Sequence, residues 1–264
     1  FLRGDLYRST KKYIPNNSSR LLPSNRFGED LNIARILPNY FLEWRYPVVS
    51  PNGHTIIEPI INFTVAPNDK EYSKIPNEDS IAFELNSANI FFNERIQGFD
   101  RWEYGNRINY GIQISHFWGD RVIKALLAQS YRFSDLNFSY TGSGLRKDFS
   151  DLIFDLFYQP NKNLTITYRG RMNEDDLNLT RSEFDIQGNF KNWGFRLGHA
   201  HLDDEEYINL KEQKELRFAN FINISENWLL QGAIRYDVES KKSLRNRLSV
   251  VYIDDCISFE LGFR

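Results

Sequence analysis

From about residue 150 onward, apolar and polar residues change places at almost every step. In DLIFDLFYQ the even positions Leu152, Phe154, Leu156 and Tyr158 are apolar, while Asp151, Asp155 and Gln159 stand at odd ones. After the turn PNKN, Leu164, Ile166, Tyr168 and Met172 are apolar and Thr165, Thr167, Arg169 and Arg171 polar. Successive side chains of a strand point to opposite faces, so this pattern describes strands with one apolar and one polar face. It recurs in WGFRLGHAH (Trp193, Phe195, Leu197), in WLLQGAIRYDV (Trp228, Leu230, Ile234, Tyr236, Val238) and in LRNRLSVVY. In the final CISFELGF, Ile257, Phe259, Leu261 and Phe263 alternate with Cys256, Ser258 and Glu260. No helix-period segment of comparable clarity is present.

The connections alternate in length as well. Short turns fall near 160–163, 190–192, 225–227 and 254–255, and longer polar connections near 141–150, 173–178, 203–211 and 239–243. Carried upstream, the same parity makes GD at 119–120 and SPNG at 50–53 short turns and leaves one very long inserted loop at about 67–103. Roughly thirteen strands result, many of them about ten residues long. Single-chain outer-membrane barrels have an even number of strands. The expectation is therefore an all-β chain, part of a large antiparallel transmembrane outer-membrane β-barrel that is incomplete here. The opening FLRGDLYRST, without an initiator Met or an apolar signal core, is read as a processed or fragmentary start.

A soluble sandwich would alternate in the same way, so the faces have to be compared. Aromatic residues make up 15% of the chain, with 21 Phe, 14 Tyr and 5 Trp. Tyr158, Trp193, Trp228 and Tyr252 each lie near a short turn, on the apolar face of their strand. That is the placement of an interfacial aromatic girdle. The opposite faces carry charges of both signs, among them Arg169, Arg171, Glu183, Asp185, Arg235 and Arg247, as suits a wet lumen. A soluble β-rich binding module is the competing architecture. A formal charge of −2 provides no basic face for nucleic acid. No apolar run is long enough for a membrane helix.

The run IPNEDSIAFELNSANIFFNERIQGFDRWEYGNRINYGI, Ile75 to Ile112, resembles the signature of the LptD family of lipopolysaccharide-assembly outer-membrane proteins, in its shorter, alphaproteobacterial-like branch. Its elements are Asp-Ser, then Asn-Ile-Phe, then Gly-x-Asp-Arg, then Glu-x-Gly-x-Arg leading into a strand near Tyr104. GDLY at 4–7, LEWRYPVV at 42–49, IEPI at 57–60, AQSYRF at 128–133, GSGL with FSD at 142–151 and CISFELGFR at the end match in family order. The resemblance implies that residues 1–264 are the C-terminal portion of the barrel domain. It further implies a function in inserting lipopolysaccharide into the outer leaflet of the Gram-negative outer membrane, with no enzymatic step and no cofactor. Its implied partners are lipopolysaccharide, outer-membrane lipid, an LptE-like plug lipoprotein, and a periplasmic Lpt bridge reached through an N-terminal domain. A general porin or receptor barrel for small solutes is the alternative.

Within the signature, Asp79, Ser80, Gly98, Asp100, Arg101, Glu103, Gly105 and Arg107 form a candidate cluster that pins the long loop as a cap at the barrel mouth. Charge-assisted bonds would do the pinning, and the glycines would permit close approach. A mobile surface loop with solvated charges is the plainer reading. Arg169, Arg171, Arg235 and Arg247 are candidate lumenal guides for phosphate groups. Cys256 stands alone, and its residue type fits either a buried small apolar group or a disulfide. The resemblance implies a disulfide to a periplasmic domain outside this chain, although many relatives carry two adjacent cysteines and Asp255 or Ile257 stands here instead. Histidines 199 and 201, in HAH, share a strand face, but no third ligand is evident, and no metal site is expected. DDEE at 203–206 is most simply a solvated charge run, and GSG at 142–144 lacks the context of a phosphate loop.

Overall fold

The structure is a computed structural model that describes residues 2–9, 31–69, 75, 79–80, 84–133, 143–145, 147–203 and 212–263. GSGL and DDEE lie partly outside these residues, as does the loop at 67–103. Fifteen strands and no helix are present among the described residues. They are β1 Leu2–Ser9, β2 Leu31–Pro38, β3 Tyr40–Arg45, β4 Val48–Val49, β5 Thr55–Val65, β6 Arg107–Trp118, β7 Arg121–Arg132 and β8 Leu152–Asn161. The chain continues with β9 Leu164–Met172, β10 Leu179–Asn189, β11 Trp193–Leu202, β12 Gln213–Asn223, β13 Trp228–Asp237, β14 Lys242–Ile253 and β15 Ser258–Phe263.

Strands β5 to β15 form an antiparallel meander in chain order, edged by β3 and β4 on β5, to make a sheet of thirteen strands. Strands β3 and β4 are one edge interrupted at Tyr46-Pro47. Proline has no N–H for the ladder and is tolerated at such an edge. That break is one reason the count exceeds the sequence reading of about thirteen. Strands β1 and β2 make a separate antiparallel ribbon. The outermost strands of the large sheet, β15 and β3, do not pair with each other, so the sheet is not closed within this chain.

The register sorts the side chains. Directly opposed residues share a face, so Asn62, Asn109 and Ser130 stand in one row across β5, β6 and β7. The same face runs through the pairs Ile153↔Arg171, Arg171↔Arg181, Arg217↔Arg235 and Arg235↔Arg245. The other face carries Ile61, Ile112, Leu127, Leu156, Leu197, Phe218, Ile234, Leu248 and Leu261, all exposed. One apolar face of this extent, left open along the whole meander, suits lipid contact rather than a packed core. At the short-turn end Trp118 stacks on Tyr158 at 6.3 Å, and Trp193 on Phe190 at 4.5 Å. Trp228 meets Tyr252 there at 5.0 Å, which completes an aromatic row at that rim.

This arrangement predicts a face-dependent cost of charge. In the full-length protein in lipid, Ile112→Arg should cost about 2–4 kcal/mol of unfolding free energy, and Gln113→Arg, one residue along on the polar face, about 1 kcal/mol or less. Denaturant unfolding of the two variants measures the difference. Equal costs would contradict the assignment of faces.

Candidate functional site

The connection between β5 and β6 returns to the polar face of the sheet. Leu85 and Ile90 are fully buried against Ala128 and Ile153 of the sheet and Leu145 of the β7–β8 connection, with Phe91 and Leu126 at the margin. Each fully buried aliphatic side chain is worth about 1.5–3 kcal/mol. Hydrogen bonds fix the same placement. The amide of Asn62 donates to Phe91 O at 2.6 Å, and the Ser87 hydroxyl donates to Asp155 Oδ2 at 2.7 Å. Leu85 N donates to Ser143 O at 2.9 Å, and Gly105 N to Ala66 O at 3.0 Å.

Arg107 of β6 and Arg132 of β7 are direct cross-strand neighbours, an arrangement that repels. Glu103 resolves the conflict. Its Oε2 accepts Arg95 Nε at 2.8 Å and lies 3.6 Å from Arg107 Nη2, while its Oε1 pairs with Arg95 and Arg132. The four side chains are at most 1% exposed. The guanidiniums are further anchored on the loop backbone, Arg132 on Tyr104 O at 3.1 Å and Arg107 on Glu103 O at 3.3 Å and on Asn93 O. Burial opposes a charge on Glu103, but Arg107, Arg95 and Arg132 together hold its carboxyl far below the usual range. Glu94 accepts the Ile96 and Glu103 amides at 3.1 and 3.2 Å. Burial, then the neighbouring Glu103, raises its carboxyl to about 7.

The other signature residues form a second knot. Asp79 accepts the backbone amides of Phe99 at 2.9 Å and Asp100 at 3.0 Å, and its own amide donates to Asp100 Oδ2 at 3.1 Å. Partial burial works against the Asp79 charge, yet the Asp100 and Phe99 amides keep the carboxyl below its ordinary value. Ser80 Oγ accepts the Arg101 amide at 2.9 Å, and Arg101, buried, donates to Ile75 O at 2.7 Å. Gly98 has φ +103°, and a Cβ there would sit 2.6 Å from Ser80 Cα. Gly105, at φ +94°, turns the chain into β6, which begins at Arg107 rather than near Tyr104. The ribbon of β1 and β2 seats on this knot through Arg35, which reaches Asp5 and Asp69 at 2.8 Å and Phe99 O at 3.0 Å.

Sequence reasoning missed Arg35, Asp69, Glu94, Arg95 and Arg132. The parity of β7 does place Arg132 on the polar face, but only the cross-strand register sets it beside Arg107.

The four arginines singled out in the strands share the polar face, and each stands beside a carboxylate. Arg169 reaches Glu183 at 2.9 Å, Arg171 reaches Asp151 at 3.0 Å, and Arg235 and Arg247 pair with Glu215 and Glu260. Arg171 and Asp151 are buried. Arg245, directly opposite Arg235, makes no ion pair among the described residues. A cavity of about 280 Å³ is lined by Glu84 and Ser87 of the loop and by Arg169, Arg171 and Arg181 of the sheet, and Arg181 pairs directly with Glu84. Cys256 is exposed in the turn between β14 and β15, where Asp254 Oδ1 accepts the Cys256 amide at 2.9 Å and the Ile257 amide at 2.7 Å. Of the two histidines in HAH, His201 lies 3.0 Å from Glu212 Oε1 across the β11–β12 pair, and Asp203 stands beside them.

The LptD family model, described as LPS transport system D, matches residues 1–231. The LPS-assembly protein LptD of Nitrosomonas europaea is 23% identical over 250 residues, which cover 89% of this chain and 33% of that protein. The corresponding protein of Nitrosomonas eutropha is 24% identical over 213 residues, 78% of this chain and 28% of its own length. That of Acinetobacter baumannii is 25% identical over 201 residues, 71% of this chain and 23% of its own length. The chain spans about a third or less of these curated relatives.

Glu103→Gln leaves three buried arginines without their shared anion and should cost about 3–5 kcal/mol. Amide exchange across 84–104 in the full-length protein should accelerate accordingly; unchanged exchange would contradict the role of Glu103. The two carboxyls also set opposite pH limits. Glu103, depressed in the fold, contributes stability that is lost as pH falls below about 4.5. Glu94, raised to about 7, costs the fold progressively as pH rises from its unfolded value of 4.5 to about 7. Protection of 84–104 should therefore peak near the lower end of that window, and Glu94→Gln should remove its decline toward neutral pH.

Proposed function

The chain belongs to the LptD family, and on that premise we propose that it forms part of an outer-membrane translocon that delivers lipopolysaccharide to the outer leaflet. The observation that carries this is the sorting of the sheet into an exposed apolar wall and an ion-paired polar wall. Lipopolysaccharide joins acyl chains to phosphorylated sugar. Carrying the charged part through hydrocarbon would be prohibitive, so a polar wall for the sugar and an apolar path for the chains solves the transfer problem. The task is geometric and electrostatic, needs no covalent step, and draws its energy from elsewhere. A diffusion porin fits the wall but not the family, and is not favoured.

The polar face guides phosphate by exchange. Arg169, Arg235 and Arg247 already hold carboxylates, so a passing phosphate replaces one anion by another, and Arg245 offers a cation that has no carboxylate to displace among the described residues. Arg171, buried with Asp151, serves the fold instead. The loop that contains Glu103, with Asp79, Ser80, Gly98, Asp100, Arg101, Gly105 and Arg107, caps the polar space. An LptE-like lipoprotein fills the remaining lumen, and the periplasmic bridge arrives through an N-terminal domain. Cys256, exposed at the short-turn rim, pairs with a cysteine of that domain, an oxidising compartment allowing the bond to persist.

Arg235→Gln combined with Arg245→Gln should slow the arrival of newly made lipopolysaccharide at the cell surface severalfold in the native bacterium, with the barrel still assembled. Normal delivery would remove the guiding role. Depletion of the whole protein that altered only small-solute uptake would replace the transport function with that of a porin.

A further inference from the structure

We propose that His201, Asp203 and Glu212 form a binding site for a divalent transition-metal ion of the zinc type. This proposal does not depend on the transport reading, although His201 and Lys214 line one pocket with Arg217 and Arg235 of the polar face. The donors come from two adjacent strand ends. His201 lies within β11, Asp203 follows that strand, and Glu212 immediately precedes β12. The β11–β12 register holds the ends together through His201↔Lys214 and Leu202↔Gln213, and the Asp203 amide is fixed on Thr180 O at 3.0 Å. Three side chains distant from the signature loop are thus presented by a paired backbone.

The geometry suits an ion. One imidazole nitrogen and two carboxylate oxygens lie within 4.8 Å of one another, and His201 Nε2 stands 3.0 Å from Glu212 Oε1. Ligands about 2.0–2.2 Å from a zinc ion are themselves separated by about 3–3.5 Å, so small side-chain rotations complete the set. An imidazole among the donors selects zinc-type ions over magnesium and calcium, which prefer oxygen alone. Lys214 already places a cation at this carboxylate, its Nζ paired with Glu212 and lying 3.5 Å from Glu239. An arriving ion takes over Glu212, and Lys214 transfers to Glu239. The bound ion then cross-links the ends of β11 and β12.

The site lies just beyond the outward row that ends at Tyr236. Leu216 is the partner of Tyr236, and Lys214 O accepts the amide of Val238 one step further along. The ligands therefore sit at the long-connection rim, where water is available to fill the remaining coordination positions.

The test is calorimetric titration of zinc into chelator-stripped, full-length protein in detergent, with cobalt absorption as a second readout. His201→Ala and Glu212→Gln should each lower the stoichiometry by one ion relative to the unaltered protein. Lys214→Ala, which removes a competing cation and no ligand, should tighten the same site about two- to fivefold. Equal stoichiometry in the unaltered protein, His201→Ala and Glu212→Gln would overturn the proposal. So would a Lys214→Ala variant that binds no more tightly, a result that misfolding of a ligand variant could not mimic.

Discussion

Hydrocarbon offers no water to an unpaired backbone N–H or C=O, so a chain that lives there must satisfy each strand with its neighbours. The meander from β5 to β15 does this strand by strand, in chain order and without a crossover. Almost everything else follows from that ladder. Its register fixes which residues stand opposite one another, and the two-residue period then divides every strand between lipid and the polar side. Proline is confined to where the ladder tolerates it, as at the edge break between β3 and β4.

The polar side brings its own difficulty, because a register chosen by the backbone also places arginine opposite arginine. At Arg107 and Arg132 the solution lies outside the strands, in a carboxylate contributed by the loop. Glu103 thereby becomes the join between two structural layers, the sheet and the segment lying on it. The same segment receives the β1–β2 ribbon through Arg35, so three parts of the described chain converge on one stretch of the family signature. Glycine is required at Gly98 because backbone and Ser80 leave no space for a Cβ.

Farther along the sheet Arg169, Arg235 and Arg247 meet carboxylates on neighbouring strands instead. A surface built from paired charges stays wet and polar without a strong net field. Carboxylates at the rim, including Glu212, are held by cations in the same manner.

Much of the architecture was legible from periodicity. The faces, the alternation of short and long connections, and the aromatic row at one rim all depend on local side-chain order, which the two-residue period of a strand exposes directly. The signature residues were legible as a group because they are consecutive and carry unusual chemistry. Contacts between distant residues were not legible. Nothing local sets Arg132 beside Glu103, Arg35 beside Asp69, or Glu212 beside His201, since each depends on register between strands or on where a loop returns. The sequence by itself determined an all-β chain with one apolar and one polar face, because side-chain alternation is a property of each strand alone. Only the tertiary structure decided which charges meet, because cross-strand register and loop return are set by hydrogen bonding and packing over the whole sheet.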